Sequence, residues 1–121
     1  MHKVVYNNDY GGFSLSLKAV EWLETNCTDN KLRKFISATR NKLLPSLSKE
    51  ILCYDISGWF DDKRHHKDLV AVVEALGDEA NGPCASLEIC EIGGNQYRID
   101  EYDGAENVVT PEGYDWIFIE D

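Results

Sequence analysis

No stretch of this chain approaches the roughly 20 consecutive apolar residues that a membrane span requires, so a helical membrane protein is not expected. Its start, Met1-His2-Lys3-Val4-Val5, lacks an apolar h-region and a cleavage site. We therefore expect a protein that is not secreted and works in the cytoplasm. Cations are scarce in its second half. Residues 68–121 hold one basic residue, Arg98, against 14 acidic ones, a balance of −13, whereas residues 1–67 hold 11 Lys and Arg against 8 Asp and Glu, a balance of +3. A surface with so few cations does not grip a phosphate backbone, so direct nucleic-acid binding is not expected. The acidic half reads either as a solvated face or as a surface that docks on a basic partner. The four cysteines, Cys27, Cys53, Cys84 and Cys90, contain no C-x-x-C pair, which removes a zinc knuckle or a thioredoxin-type site. Cys84 and Cys90 fall in one strand-like run, about 20 Å apart at ~3.3 Å per residue, too far to bond to each other. Reduced and mostly buried thiols are expected.

What is present reads as one α+β domain spanning residues 1–121. Lys3–Tyr6 is expected as a first strand. Ser14 or Ser16 can cap a helix with Ala19, Val20, Trp22 and Leu23 on its apolar stripe. Asp29 can cap a second helix over about 30–44, with Leu32, Phe35, Ile36, Thr39 and Leu43 inward, closed by Pro45. Ile51–Ile56 reads as a strand, and Gly58–Asp62 as a loop carrying two large aromatics. Asp68–Leu76 is the clearest helix, with Leu69, Val70, Val72, Val73 and Leu76 apolar and Gly77 as its stop. Beyond a turn or loop at Asp78–Pro83, the chain alternates. Cys84–Ile92 is expected to pair with Gln96–Tyr102 through a Gly93-Gly94-Asn95 turn, with Tyr97 and Ile99 inward. Asp103-Gly104 signals a second hairpin, leading to Val108-Val109-Thr110. Tyr114–Ile119 is a last apolar run. The expected architecture is an N-terminal strand and about three helices packed on a C-terminal antiparallel β-meander.

Several pieces carry a resemblance. Val4-Val5-Tyr6-Asn7, Tyr10-Gly11-Gly12-Phe13-Ser14-Leu15-Ser16, Arg64-His65-His66-Lys67-Asp68-Leu69-Val70, Glu79-Ala80-Asn81-Gly82 and Tyr97-Arg98-Ile99-Asp100-Glu101-Tyr102-Asp103-Gly104 together resemble a family of small uncharacterised proteins of bacteriophages and large DNA viruses. The segment at about 27–60 is the most individual part of the chain. The resemblance implies a viral setting, with a host cytoplasm as the place of action, and brings no activity with it.

Four groups of residues could carry chemistry. The first is the loop from Asn7 to Ser16. A strand, a glycine-containing loop and a capped helix can aim backbone N–H groups at an anion. Gly11 and Gly12 permit positive φ and close approach, Asn7, Asn8 and Asp9 add polar groups, Tyr10 and Phe13 could stack on a ring, and Ser14 completes the candidate ligand residues. The same residues also suit a plain strand-to-helix turn. The spacing is neither a Rossmann fingerprint nor a Walker loop. The second is Lys63–Lys67, where Arg64 could grip a phosphate with His65 or His66 assisting, or could serve a basic lead-in to the next helix. Adjacent histidines point in different directions, so no two-His metal site is expected. The third, Asp100–Glu106, could hold a divalent cation or do acid–base work, but reads first as a charged hairpin end, since alternation does not make its carboxylates converge and EF-hand spacing is lacking. The fourth is aromatic: Trp59 and Phe60 are interface candidates, and Trp116 is expected in the core.

No Ser–His–Asp, Cys–His or metal signature is present, so no catalytic residue, metal or cofactor is assigned. The leading expectation is a binding protein that sequesters a small anionic, nucleotide-type ligand or blocks a host protein. A structural or assembly protein or acidic decoy is the alternative, and a hydrolase built from the histidine pair and the acidic hairpin is a third.

Overall fold

The computed structural model describes residues 2–42 and 49–111. Leu43, Pro45 and the run Tyr114–Ile119, with Tyr114 and Trp116, lie outside the described residues. The order is β1 (His2–Asn7), α1 (Leu17–Asn26), α2 (Asn30–Lys42), α3 (Lys49–Trp59), α4 (Lys67–Leu76), a 3-10 turn (Gly77–Ala80), β2 (Leu87–Ile92), β3 (Arg98–Tyr102) and β4 (Ala105–Val109). The fold is α+β, as its pattern of elements indicates.

Each expected helix start has a physical cap. The Ser16 hydroxyl accepts from the Ala19 N–H at 3.1 Å and opens α1. The Asp29 carboxylate accepts from Lys31 N–H at 2.8 Å and opens α2. The α4 cap is His66, whose Nδ1 accepts from Asp68 N–H at 3.0 Å. Gly77, at φ 57°, ends α4 in a conformation that glycine adopts freely.

Residues 51–56 form a helix, correcting the expected strand. Leu52, Ile56 and Phe60 recur every four residues and are all buried, which is one stripe of a helix. A strand would have placed Tyr54 on the same face as Leu52 and Ile56, yet Tyr54 is 78% exposed. Burying three such side chains contributes about 1.5–3 kcal/mol each, enough to override the β preference of isoleucine and tyrosine. Gly58 and Trp59 accordingly close α3 rather than lying in a loop.

The strands also pair differently from the expected meander. β2 pairs antiparallel with β1, Val5 opposite Ile89 and Asn7 opposite Leu87, while among the described residues β3 pairs with β4 alone. Val4 and Val5 are both buried, so β1 is covered on both faces and its backbone groups need partners. β2 supplies one edge. On the other, Val5 N–H donates to the Arg64 carbonyl at 2.9 Å. The β3–β4 hairpin turns through Asp103 and Gly104, at φ 52° and 90°, the two positive φ values of a tight two-residue turn. α4 packs on β1 and β2, and α1 lies among α2, α3 and α4. One cluster of Val5, Leu15, Val20, Leu23, Leu32, Ile56, Phe60 and Leu69 forms the middle of the core.

Candidate functional site

The loop after β1 is held by side chains rather than by sequence-local turns. Asn7 is buried, and its backbone N–H and both polar atoms of its side chain are used. Its backbone N–H donates to Glu106 Oε1 at 2.8 Å, its Nδ2 donates to the carbonyls of Asp9 and Gly104 at 2.7 and 2.9 Å, and its Oδ1 accepts from Ser86 N–H at 2.8 Å. Asn8 N–H donates to the Ser86 carbonyl, Tyr10 N–H to Asp9 Oδ1, Leu15 N–H to Ser57 Oγ and Ser16 N–H to the Ala80 carbonyl. These amides are therefore committed to the fold, not turned toward an anion. Gly12 takes a positive φ of 89°, as expected. Gly11 does not; a Cβ there would collide with the backbone of Cys84, so its role is close approach. Ser14 lies against the 82–83 segment, its hydroxyl 3.4 Å from the Pro83 carbonyl.

Arg64 stands behind this loop. It is only 4% exposed, and its fork meets the Glu106 carboxylate, Nη1 to Oε1 at 2.5 Å and Nη2 to Oε2 at 2.9 Å. Its guanidinium carbon lies 3.8 Å from the centre of the Phe13 ring, a cation–π contact that fixes that ring. Asp61 is a more distant partner at 3.6 Å. The group marked for a phosphate thus already holds an internal carboxylate. Glu106 is the residue that sequence reasoning missed: it was grouped with the exposed hairpin end but is 6% exposed.

The adjacent histidines diverge. His65 Nδ1 lies 2.7 Å from the Tyr97 hydroxyl, beside a small cavity of about 130 Å³ lined also by His2, Ile92 and Asn95. Burial holds the Tyr97 hydroxyl above its ordinary pKa, offset in part by backbone N–H groups of His65 and Arg64. His66 uses both ring nitrogens internally. Because Nδ1 accepts from Asp68 N–H, Nε2 carries the proton and donates to Asp29 Oδ2 at 2.8 Å. His65 and His66 therefore do not join Asn7, Tyr10, Gly11, Gly12, Phe13, Ser14 and Arg64 in one site. Among the described residues no three His, Cys, Asp or Glu side chains are grouped to hold a metal.

The aromatic candidates divide. Phe60 is fully buried, so it is core rather than interface, because it continues the stripe of Leu52 and Ile56. Trp59 is half-buried, edge-on to Phe60 and His66 and capped by Lys63 Nζ, 4.8 Å from its ring centre. The exposed aromatic of α3 is Tyr54, one turn earlier. Among the cysteines, Cys27 is buried but Cys84 is exposed in a turn at φ 63°, outside β2, and no disulfide joins the four.

Among the described residues a cleft opens in front of the Phe13 ring. It holds about 660 Å³ between the loop at Gly11, Phe13, Ser14, Leu15, Ser16 and Leu17, the α3 residues Cys53 and Tyr54, and Pro83. Its walls are apolar surface punctuated by two serine hydroxyls and a phenol. A second compartment of about 210 Å³ adjoins it, sharing Phe13, Ser14 and Tyr54 and adding Asp55, Ser57, Gly58 and Asp61. No family model, no curated protein and no solved structure matches this chain. Among the described residues no helix is long and apolar enough to cross a membrane.

Proposed function

We propose that this is a binding protein whose site is the cleft between the Gly11–Leu17 loop and α3. The observation that carries this reading is the cleft itself. Small-molecule sites enclose roughly 300–1,000 Å³ with mostly apolar walls and few polar groups, and this one holds about 660 Å³. The wall is built in advance. Phe13 is pinned by Arg64, Arg64 by Glu106, and the start of the loop by Asn7, so little ordering cost attends binding. The lining favours a flat or apolar ligand body rather than a phosphate, since it carries no cationic side chain. Tyr54, half of the α3 wall, supplies a stacking surface.

The test is an amide-resonance titration of the ¹⁵N-labelled protein with indole, phenol, adenosine and AMP. Shifts clustered on Gly11, Phe13 to Leu17, Cys53 and Tyr54 support the cleft. Shifts confined to other surfaces, or none with any of the four, overturn it.

A protein partner is the second reading, favoured by Ile51 and Tyr54, exposed together on one face of α3. A viral setting would make that partner a host protein.

A further inference from the structure

We infer that the ligand of this cleft is an organic cation: an aromatic or apolar body carrying a terminal ammonium. This rests on the cleft being the binding site and adds the charge and orientation of what it binds. The two compartments share Phe13, Ser14 and Tyr54, so one molecule can occupy both. Their chemistry differs. The larger wall has no carboxylate and no cation, whereas the smaller has two carboxylates, Asp55 and Asp61, and no cation in its lining.

The charge there is not neutralised internally. The Asp55 carboxylate makes no ion pair or hydrogen bond among the described residues. Among the described residues the Asp61 carboxylate meets only Arg64, at 3.6 Å, and that guanidinium is already bidentate to Glu106. One cation thus faces two carboxylates before Asp55 is counted, leaving the end of the groove net negative. The neighbouring Asp62 and Lys63 pair with each other at 2.9 Å and cancel. Between the compartments stands the Tyr54 ring, exposed and without a hydrogen-bond partner among the described residues, in position to meet an ammonium through its face. The net charge of −10 draws cations and repels anions over a longer range. The body of the ligand lies against Phe13, Leu15 and Leu17, and its ammonium reaches Asp55 and Asp61. A nucleotide would place its phosphates against the same carboxylates, which disfavours the nucleotide-type ligand expected from the loop.

Matched probes separate body from charge. Tryptamine, 3-methylindole and indole-3-propionate share one ring and differ in charge; AMP represents the nucleotide class. Titrations at pH 7, read by amide shifts, should show tryptamine binding at least tenfold more tightly than 3-methylindole, with indole-3-propionate weakest of the three indoles. Tryptamine should shift Tyr54, Asp55, Ser57, Gly58 and Asp61. In the Asp55→Asn/Asp61→Asn variant the preference for tryptamine should vanish while 3-methylindole binding persists, which also shows that the variant is folded. Equal affinity for tryptamine and 3-methylindole overturns the cation inference and leaves the cleft standing. Tighter binding of AMP than of tryptamine overturns it in favour of an anion. Failure of all three indoles to reach the cleft overturns both the inference and the site.

Discussion

Among the described residues two carboxylates are buried, and they are satisfied in opposite ways. Glu106 is held by a full cation from a distant loop, the Arg64 fork, and also receives the Asn7 N–H. Asp68, 2% exposed, is held mainly by neutral donors: Thr28 N–H, the Thr28 hydroxyl and Asp29 N–H, at 2.9–3.1 Å. His66 stands 3.9 Å from its second oxygen. The first arrangement joins β1, the α3–α4 connection and β4 directly behind the candidate cleft. The second joins the α1–α2 connection to the start of α4, away from it. A buried ion pair is costly to break from one side, because the surviving charge is stranded. A carboxylate solvated by amides and a hydroxyl loses individual hydrogen bonds instead. The region behind the cleft is thus the more brittle of the two, and it is the one that sets the position of Phe13.

The largest expected effect breaks the first arrangement. Arg64→Met leaves the Glu106 charge buried and unpaired and should cost about 3–5 kcal/mol in urea unfolding. Adding Glu106→Gln should recover much of that loss. A single-variant cost below about 1 kcal/mol would show that Glu106 is not held by this pair. Next is Asp68→Ala, which strands the Thr28 and Asp29 amides and should cost about 1.5–3 kcal/mol, measured the same way, without moving Phe13 resonances. If both variants disturb Phe13 equally, the two regions are not separable.

Tyr54→Ala sharpens the contrast from the cleft side. As an exposed substitution it should change stability by no more than about 0.5 kcal/mol, yet it should weaken aromatic probes in the cleft at least tenfold. Unchanged probe affinity would remove Tyr54 from the wall. The smallest effect is in acid. The hydrogen bond from His66 holds the Asp29 carboxylate below its ordinary value of 3.8, with the Lys31 amide assisting. A depressed carboxylate contributes stability that is present above its unfolded value and lost as pH falls through the folded one. Asp29→Asn should therefore flatten the decline in stability below pH 3.8, as followed by thermal melts; a decline of unchanged steepness would remove Asp29 from the acid limb.

Local signals carried most of the fold that could be read in advance. α4 was legible because five apolar residues at helical spacing end in Gly77, and the β3–β4 turn because Asp103-Gly104 favours positive φ at both positions. α1 and α2 were legible from Ser16 and Asp29 at their starts. α3 was not, because Ile51, Tyr54 and Ile56 prefer strands one at a time, and the stripe that makes them helical includes Phe60, which read as part of a loop. Of the residues singled out in the loop, Gly11, Phe13 and Ser14 line one wall of the cleft. Tyr54 and Cys53, its opposite wall, could not be found while their segment read as a strand, and Asp55 and Asp61 carried no motif.

Composition and short-range pattern were enough for the α+β class, the charge asymmetry, the helix caps and the loop that lines the cleft, because each depends on neighbours within a few residues. The pairing of β1 with β2, the burial of Glu106 against Arg64 and the meeting of the loop with α3 came only from the packed chain. Asn7 meets Leu87 and Arg64 meets Glu106 across long stretches of chain. Such contacts form because β1, buried on both faces, must satisfy its backbone, and because a buried carboxylate must find a cation or amides, wherever in the chain these lie.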